Sequence, residues 1–226
     1  PPLEDYSLTH GICSVCMTHA QYSSDEAVRR VRPIVAFYSD LMQMAERGVQ
    51  VPVQEMIARG VALGIRPVDL LMGVIQPTLY EVGRRWDQGL MTPAQETSFS
   101  SFCDAVLVEL TEQQAVNSLP EGAPRVLMMN ARGNLHTLGL RMATFLLRDR
   151  GLDARALTPT PGRPELAAVL ERERPAVVGV SLALAWQCTF LDEILELTRD
   201  FDPRPRIMAG GPAVRAGCVL PAGVEG

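Results

Sequence analysis

The sequence is poor in several features, and each shortage excludes a class of protein. Basic residues are outnumbered, 21 against 26 acidic ones, so the net charge is -5 and no basic surface is expected to neutralise nucleic-acid phosphates. No apolar run approaches the roughly 20 residues that cross a bilayer, and no signal-peptide pattern opens the chain. We therefore expect a cytoplasmic protein that binds no membrane and, by itself, no nucleic acid.

Cysteines and aromatic residues are also scarce. Five cysteines are an odd number for a chain of 226 residues and do not resemble a secreted disulfide framework, so reduced thiols are expected. Aromatic residues make up 5% of the chain, whereas apolar residues as a whole make up 47%. This composition favours helices packed on helices and on a buried sheet, and the length suits two modest domains. The absence of an initiator Met leads us to expect a piece of a longer protein.

The first part of the chain predicts a helical domain. Residues 1–22 read as an irregular tail, and residues 23–117 contain four segments with apolar side chains near the 3.6-residue period. Pro67 suits the first position of the third helix, Pro77 is expected to kink that helix, and a Thr-Pro-x-Gln sequence at Thr92 marks the start of the fourth. Short connections between the segments predict a four-helix bundle.

Residues 124–226 alternate between short apolar strands and helices. Four strands are predicted, at 125–129, 152–157, 176–182 and 206–209. This alternation predicts an α/β domain with a parallel, doubly wound sheet of the flavodoxin or Rossmann type. Ligands bind to such sheets where loops leave the carboxyl ends of the strands.

The candidate functional residues of this second domain all lie at predicted strand ends. His136 is its only histidine and is placed in a loop between Gly133 and Gly139, where a bulky ligand can approach the backbone. Imidazole is the commonest side-chain metal ligand, but no second ligand lies nearby to complete a zinc site. His136 therefore suits either an ordinary surface or helix-capping role, or a metal whose other positions are filled by a macrocycle.

Three segments of the second domain stand out at the predicted strand ends. They are Asn134-Leu135-His136-Thr137-Leu138-Gly139, Ser181-Leu182-Ala183 and Gly210-Gly211. Together they resemble the signature Asp-x-His-x-x-Gly, then Ser-x-Leu or Ser-x-Thr, then Gly-Gly, of cobalamin-binding domains in methionine synthase, mutases and light-responsive transcriptional regulators.

The resemblance implies that the cofactor is cobalamin and that His136 ligates cobalt in place of the cofactor's own dimethylbenzimidazole. It further implies that Ser181 hydrogen-bonds the displaced benzimidazole, and that Gly139, Gly210 and Gly211 leave room for the nucleotide tail between sheet and helix. One position departs from the family pattern. Asn134 stands where the family has an Asp or Glu that holds the second histidine nitrogen, and because Asn carries no charge we expect a weaker imidazole donor.

The helical domain resembles the cap over the upper face of cobalamin, above all in the photoreceptor branch. That branch has Trp, nine intervening residues and then Glu-His, and here Trp86 is followed at the same spacing by Glu96 and Thr97. Trp86 and Glu96 are therefore candidate cofactor contacts. The ordinary alternatives are a buried core tryptophan and a solvated carboxylate in the first turn of a helix.

The resemblance implies a cobalamin-binding sensory or regulatory module, more readily than an enzyme, that responds to light through the upper axial ligand of adenosylcobalamin or methylcobalamin. Any effect on transcription would pass through a protein output partner or a missing fused domain, and a homo-oligomer is left open. One alternative is a corrinoid protein that carries methyl groups for a methyltransferase system. Another is a flavodoxin-like interaction domain without a cofactor.

A separate motif lies near the start of the sequence. His10-Gly11-Ile12-Cys13-x-x-Cys16 resembles the closing part of a small motif that follows some sensory domains. Such a pair of cysteines supplies half of a zinc site, to which His10 or His19 could add a ligand, and reduced linker cysteines are the alternative.

Overall fold

The computed structural model describes residues 26–115 and 119–226. The chain divides into two compact units, Pro1–Val116 and Asn117–Gly226. The predicted tail at 1–22, and with it Cys13 and Cys16, lies outside the described residues, so its structure and the half zinc site remain predictions. Among the described helices, none has the length and apolar character needed to cross a membrane.

The described part of the first unit consists of four helices. They are α1 (Glu26–Arg47), α2 (Val53–Ala62), α3 (Pro67–Asp69, Leu70–Ile75 and Gln76–Asp87) and α4 (Pro93–Ala115). Helix α4 packs against each of the other three, and its Val106 and Leu107 are almost fully buried together with Leu71 of α3. The unit is thus held by apolar stripes that meet around α4, as the periodicity predicted.

Helix α3 is distorted near the predicted proline, but the distortion lies before it. Leu70–Ile75 is π-helical, and Pro77 follows in the first turn of the regular helix Gln76–Asp87. Proline has no backbone N–H to donate to the preceding turn, which frees carbonyl groups of that turn from the regular pattern. The buried hydroxyl of Thr78 donates to Val74 O, one turn earlier, at 2.7 Å.

Helix α4 begins with the predicted capping box. The Thr92 backbone N–H donates to Gln95 Oε1 at 2.7 Å, and the Gln95 N–H donates back to Thr92 Oγ1 at 3.3 Å. These bonds satisfy amide groups that a helix N-terminus otherwise leaves unpaired. Helix α3 ends and α4 starts within six residues of each other, so Trp86 and Glu96 lie at the same end of the helical unit.

The second unit is built on a parallel sheet with strand order β2-β1-β3-β4-β5. Its strands are β1 (Arg125–Asn130), β2 (Asp153–Leu157), β3 (Val177–Ser181), β4 (Arg206–Gly210) and β5 (Val224–Glu225). The helices are α5 (Thr137–Asp149), α6 (Arg163–Glu173), α7 (Thr189–Leu197) and α8 (Pro212–Arg215), with a 3₁₀ turn at Ala185–Cys188. The four predicted strands are present, and the two-residue β5 was not predicted. This order is that of flavodoxin-like folds, whose switch point lies between β1 and β3.

The two faces of this sheet differ in how they are covered. On one face, Leu127, Val178 and Ile207 pack against helices α6 and α7 to form the main core. On the other face, helix α5 packs on β1 and β2. There β4 is more open, since 45% of Met208 is exposed and Gly210 is exposed too. The open face ends at the carboxyl edge of β1, β3 and β4, where the candidate site lies.

The cysteines depart from the sequence prediction. Cys188, at the end of the 3₁₀ turn, and Cys218, just after α8, form a disulfide, so the expectation of reduced thiols is wrong for this pair. The parallel pairing of β3 with β4 brings the segments that follow these strands to the same edge of the sheet, which a spacing of 30 residues does not reveal. Cys103 is free and buried, and burial raises the pKa of its thiol.

Candidate functional site

The loop after β1 presents His136 at the surface. Asn130 ends the strand, Gly133 adopts a positive φ of +77°, and His136 is the exposed residue that precedes the first turn of α5. Leu135 beside it is 88% exposed. An exposed imidazole and an exposed leucine side chain therefore project from a loop whose two ends are fixed by β1 and α5.

Asn134 fixes this loop from within. The residue is only 7% exposed, and its side chain is fully used: Nδ2 donates to Ser181 O at 3.1 Å, and Oδ1 accepts the backbone N–H of His136 at 3.0 Å. Its backbone carbonyl accepts Asn130 Nδ2 at 3.0 Å. The family's Asp or Glu is implied to hold the second nitrogen of the imidazole, whereas here the amide oxygen of Asn134 accepts the backbone N–H of His136.

Three predicted or neighbouring site residues form a row across the sheet. The strand register places Asn130 of β1 opposite Ser181 of β3, and Ser181 opposite Gly210 of β4. Because side chains alternate between faces, these positions share the face on which α5 packs. A Cβ placed on Gly210, or on Gly139 in the first turn of α5, would meet no atom within 4 Å. Open space therefore lies at two of the glycines predicted to leave room for a ligand.

Gly211 has a different reason for being glycine. It adopts a φ of +106°, and a Cβ there would overlap the carbonyl oxygen of Leu182. That carbonyl accepts the Ala213 N–H at 3.1 Å, and the Leu182 N–H donates to Gly210 O at 2.8 Å. Glycine is therefore required locally, where the chain turns sharply into α8 against the loop after β3, and the role of Gly211 beside a nucleotide tail stays a prediction.

The loop after β3 is held by a buried glutamine. Gln187 is 1% exposed, and its Oε1 accepts the backbone N–H groups of Ala183 at 2.7 Å and Leu184 at 3.0 Å. The same turn leaves Leu184 54% exposed and Trp186 61% exposed. The Trp186 ring covers Gly133, where an added Cβ would approach it to 2.9 Å. Sequence reasoning missed Trp186, although a large apolar side chain just beyond a strand end was a usable signal.

Arg132 anchors the first loop to the core. Its guanidinium donates to both carboxylate oxygens of Glu193 and to Pro161 O, and lies 4.9 Å from the ring centroid of Phe190. The hydrogen bond that Arg132 donates to Glu193 raises the pKa of Arg132 above its already high usual value. The charge of Arg132 is therefore paired within the second unit.

The two candidates in the helical unit lie on its surface. Trp86 is 48% exposed, so the alternative of a core tryptophan is wrong. Glu96 accepts the hydroxyl of Ser100 at 2.7 Å and that of Thr97 at 3.3 Å, which holds its carboxylate on the first turns of α4. Both side chains are accessible at one end of the unit.

The site fits a metal that brings its own ring. In the part of the chain that the structure describes, no group of three or more His, Cys, Asp or Glu residues could hold a metal ion. What the second unit offers is one exposed imidazole, open space at Gly139 and Gly210, and a buried Asn130 Oδ1 that has no hydrogen-bond partner. A single axial nitrogen beside an open, partly polar face suits a macrocyclic cofactor with an appended polar tail.

Comparisons with known proteins agree with this donor set. Residues 35–111 and residues 124–217 match two family models, each described as a B12 binding domain. The chain is 26% identical over 200 residues to the HTH-type transcriptional repressor CarH of Myxococcus xanthus, covering 87% of this chain and 65% of that protein. It thus spans about two thirds of the relative's length.

A solved structure shares the fold. The monomethylamine corrinoid protein of Methanosarcina barkeri superposes with a TM-score of 0.65 at 14% identity, over 84% of this chain and 92% of that one. The fold and the donor set together define a corrinoid-binding module. The chain belongs to the B12-binding domain family, with a helical unit followed by a Rossmann-like unit, and its cofactor is cobalamin.

Proposed function

We propose that this cobalamin-binding module is sensory or regulatory, with His136 as the lower axial ligand of cobalt and the upper ligand as the signal. The observation that carries the regulatory part is the similarity to a transcriptional repressor, which extends across both units of the chain. Light is the proposed stimulus, and the effect on transcription is proposed to pass through a protein partner or a fused domain.

In this proposal the second unit holds the lower side of the cofactor. His136 projects from a loop that Asn134 and Arg132 hold in place, so little ordering is needed when the imidazole meets cobalt. Ser181 supplies a hydroxyl beside the open space at Gly210 and Gly139, where the nucleotide tail would lie. Leu184 and Trp186 offer apolar surface at the same edge of the sheet.

The helical unit is proposed to respond to the upper ligand. Bound cobalamin supplies a cobalt–carbon bond that light can break. Trp86 supplies an exposed aromatic surface, and Glu96 supplies a carboxylate fixed by Ser100. We propose that these two side chains contact the upper ligand, and that its loss changes their environment.

The test is to load the purified chain with adenosylcobalamin or methylcobalamin in darkness and to record its absorption spectrum and hydrodynamic size before and after illumination. We expect both to change. Trp86→Ala should bind the cofactor but show a smaller change in size, whereas Tyr80→Ala, which removes another exposed aromatic of α3, serves as the matched control. The contrary result is a loaded protein whose spectrum and size do not change on illumination but which exchanges methyl groups with methyltransferases. That result would favour a methyl-carrying role over this proposal.

A further inference from the structure

Asn130 carries a buried oxygen that the protein itself does not satisfy. The residue is 3% exposed, and its Oδ1 has no hydrogen-bond partner. Its other polar groups are used: Nδ2 donates to Asn134 O at 3.0 Å, and the backbone carbonyl accepts the Thr160 hydroxyl at 2.6 Å. A buried acceptor left unpaired is costly, so such an atom in a folded protein calls for an explanation.

The orientation of this amide is fixed by its surroundings. If the amide were turned over, its oxygen would face the carbonyl of Asn134 and the existing hydrogen bond would be lost. The unpaired oxygen therefore belongs to the resting arrangement of the site. A ligand that satisfies it has to bring an N–H or O–H donor.

The position of Asn130 shows where that donor would come from. Strand pairing sets it in a row with Ser181 and Gly210, on the sheet face that is open at β4. A second glycine, Gly179, lies one step back on the same face, with Met128 over it. The row thus combines a hydroxyl, an unpaired carbonyl oxygen and open space.

We propose that Asn130 Oδ1 accepts a hydrogen bond from the nucleotide tail of cobalamin, which makes Asn130 a specificity-determining residue for corrinoids that carry a tail. The inference depends on the proposed binding mode, in which His136 displaces that tail from cobalt. The ring nitrogen of the benzimidazole is an acceptor and suits the Ser181 hydroxyl, whereas the ribose hydroxyl and the linker amide are donors and suit Asn130. Ser181 would thereby donate to an acceptor of the tail, and Asn130 would accept from a donor of the same tail.

The experiment compares two corrinoids on the same protein samples. Dissociation constants are measured in dim light for hydroxocobalamin and for diaquocobinamide, which lacks the nucleotide tail. The variants are Asn130→Leu, which removes the oxygen at similar volume, and Asn130→Ser as a smaller replacement. Thr160→Val is the matched control, because it removes a hydrogen bond to the backbone of the same residue without touching Oδ1.

We expect the preference of the wild-type chain for cobalamin over cobinamide to fall about tenfold in both Asn130 variants and to stay within about twofold in Thr160→Val. The ratio of two affinities does not depend on the fraction of folded protein, so a destabilised variant remains informative. An unchanged ratio in both Asn130 variants would overturn the inference and leave the proposed function intact. A wild-type chain that binds neither corrinoid would overturn the proposed function itself.

Discussion

Replacing Asn134 by aspartate restores the residue type of the family signature, and we predict that it destabilises this chain. The amide of Asn134 donates to Ser181 O at 3.1 Å and accepts from the His136 N–H at 3.0 Å. A carboxylate accepts only, so Asn134→Asp keeps the second bond and sets an oxygen against the Ser181 carbonyl in place of the first. The prediction concerns the protein without cofactor.

The magnitude follows from these contacts. Ser181 O keeps the hydrogen bond from the Ala131 N–H at 2.9 Å, so it is not left without a donor, and the lost bond costs about 1 kcal/mol. Burying a charge at a position that is 7% exposed adds to this cost. We expect a total loss of about 2 kcal/mol in the free energy of unfolding near neutral pH, a factor of about 30 in the folded-to-unfolded ratio.

The sign of the pH dependence separates this explanation from a simple packing defect. Burial disfavours the charged form of the introduced carboxyl and raises its pKa in the folded state. The protonated form can donate to Ser181 O, so stability close to that of wild type is expected below about pH 3.9 and is lost as the pH rises through the folded-state pKa. Asn134→Ala loses both side-chain bonds at every pH and is the control.

Urea unfolding of the three proteins across pH 4 to 8 measures this effect. If Asn134→Asp is as stable as wild type at neutral pH, or more stable, this prediction is wrong. The new carboxylate would then pair with the imidazole of His136, and the hydrogen bond to Ser181 O would not be what holds the loop.

Three further predictions concern the same edge of the sheet. His136→Ala should alter the axial coordination seen in the cobalamin absorption spectrum or weaken uptake, and an unchanged spectrum with unchanged affinity would contradict its role as the lower ligand. Gly210→Ala should fold with stability within about 0.5 kcal/mol of wild type but bind cobalamin more weakly, whereas Gly211→Ala, with its positive φ and blocked Cβ, should lose about 2 kcal/mol or more in thermal or urea unfolding. In the Trp86→Phe variant Trp186 is the remaining tryptophan, and its fluorescence should be quenched when cobalamin binds. Unchanged emission would show that Trp186 does not lie near the cofactor.

The fold could be predicted because two periodicities meet at one linker. Apolar residues repeat with a period near 3.6 residues up to residue 117, and short apolar runs alternate with helical segments after residue 124. The order along the chain, a helical unit and then an α/β unit, followed directly from this change. The two-residue β5 was missed because so short a run carries no period. The π-helical turn before Pro77 was missed in position, because proline disturbs the turn that precedes it.

The location of the site was more predictable than its contacts. Strand ends gather at one edge of a parallel sheet, so His136, Ser181 and Gly210 could be placed together from the sequence. The bond between Asn134 and Ser181 spans 47 residues, and the direction of an amide depends on partners that only the fold brings near. The role proposed for Asn130 could not be predicted either, because it rests on an oxygen left unpaired once the amide nitrogen donates to Asn134.

The departure at Asn134 then has one physical explanation for two effects. The amide of Asn134 donates to Ser181 of β3 and accepts from the backbone of His136, and a carboxylate cannot do both. Asn134 therefore ties the loop to β3, but it places no negative charge beside the imidazole of His136. In the proposed binding mode, a weaker imidazole donor reduces the strength of the bond to cobalt, whereas a loop that is ordered in advance reduces the entropy lost on binding. The two effects act in opposite directions on affinity, so the absence of the signature carboxylate is compatible with the proposed bond from His136 to cobalt.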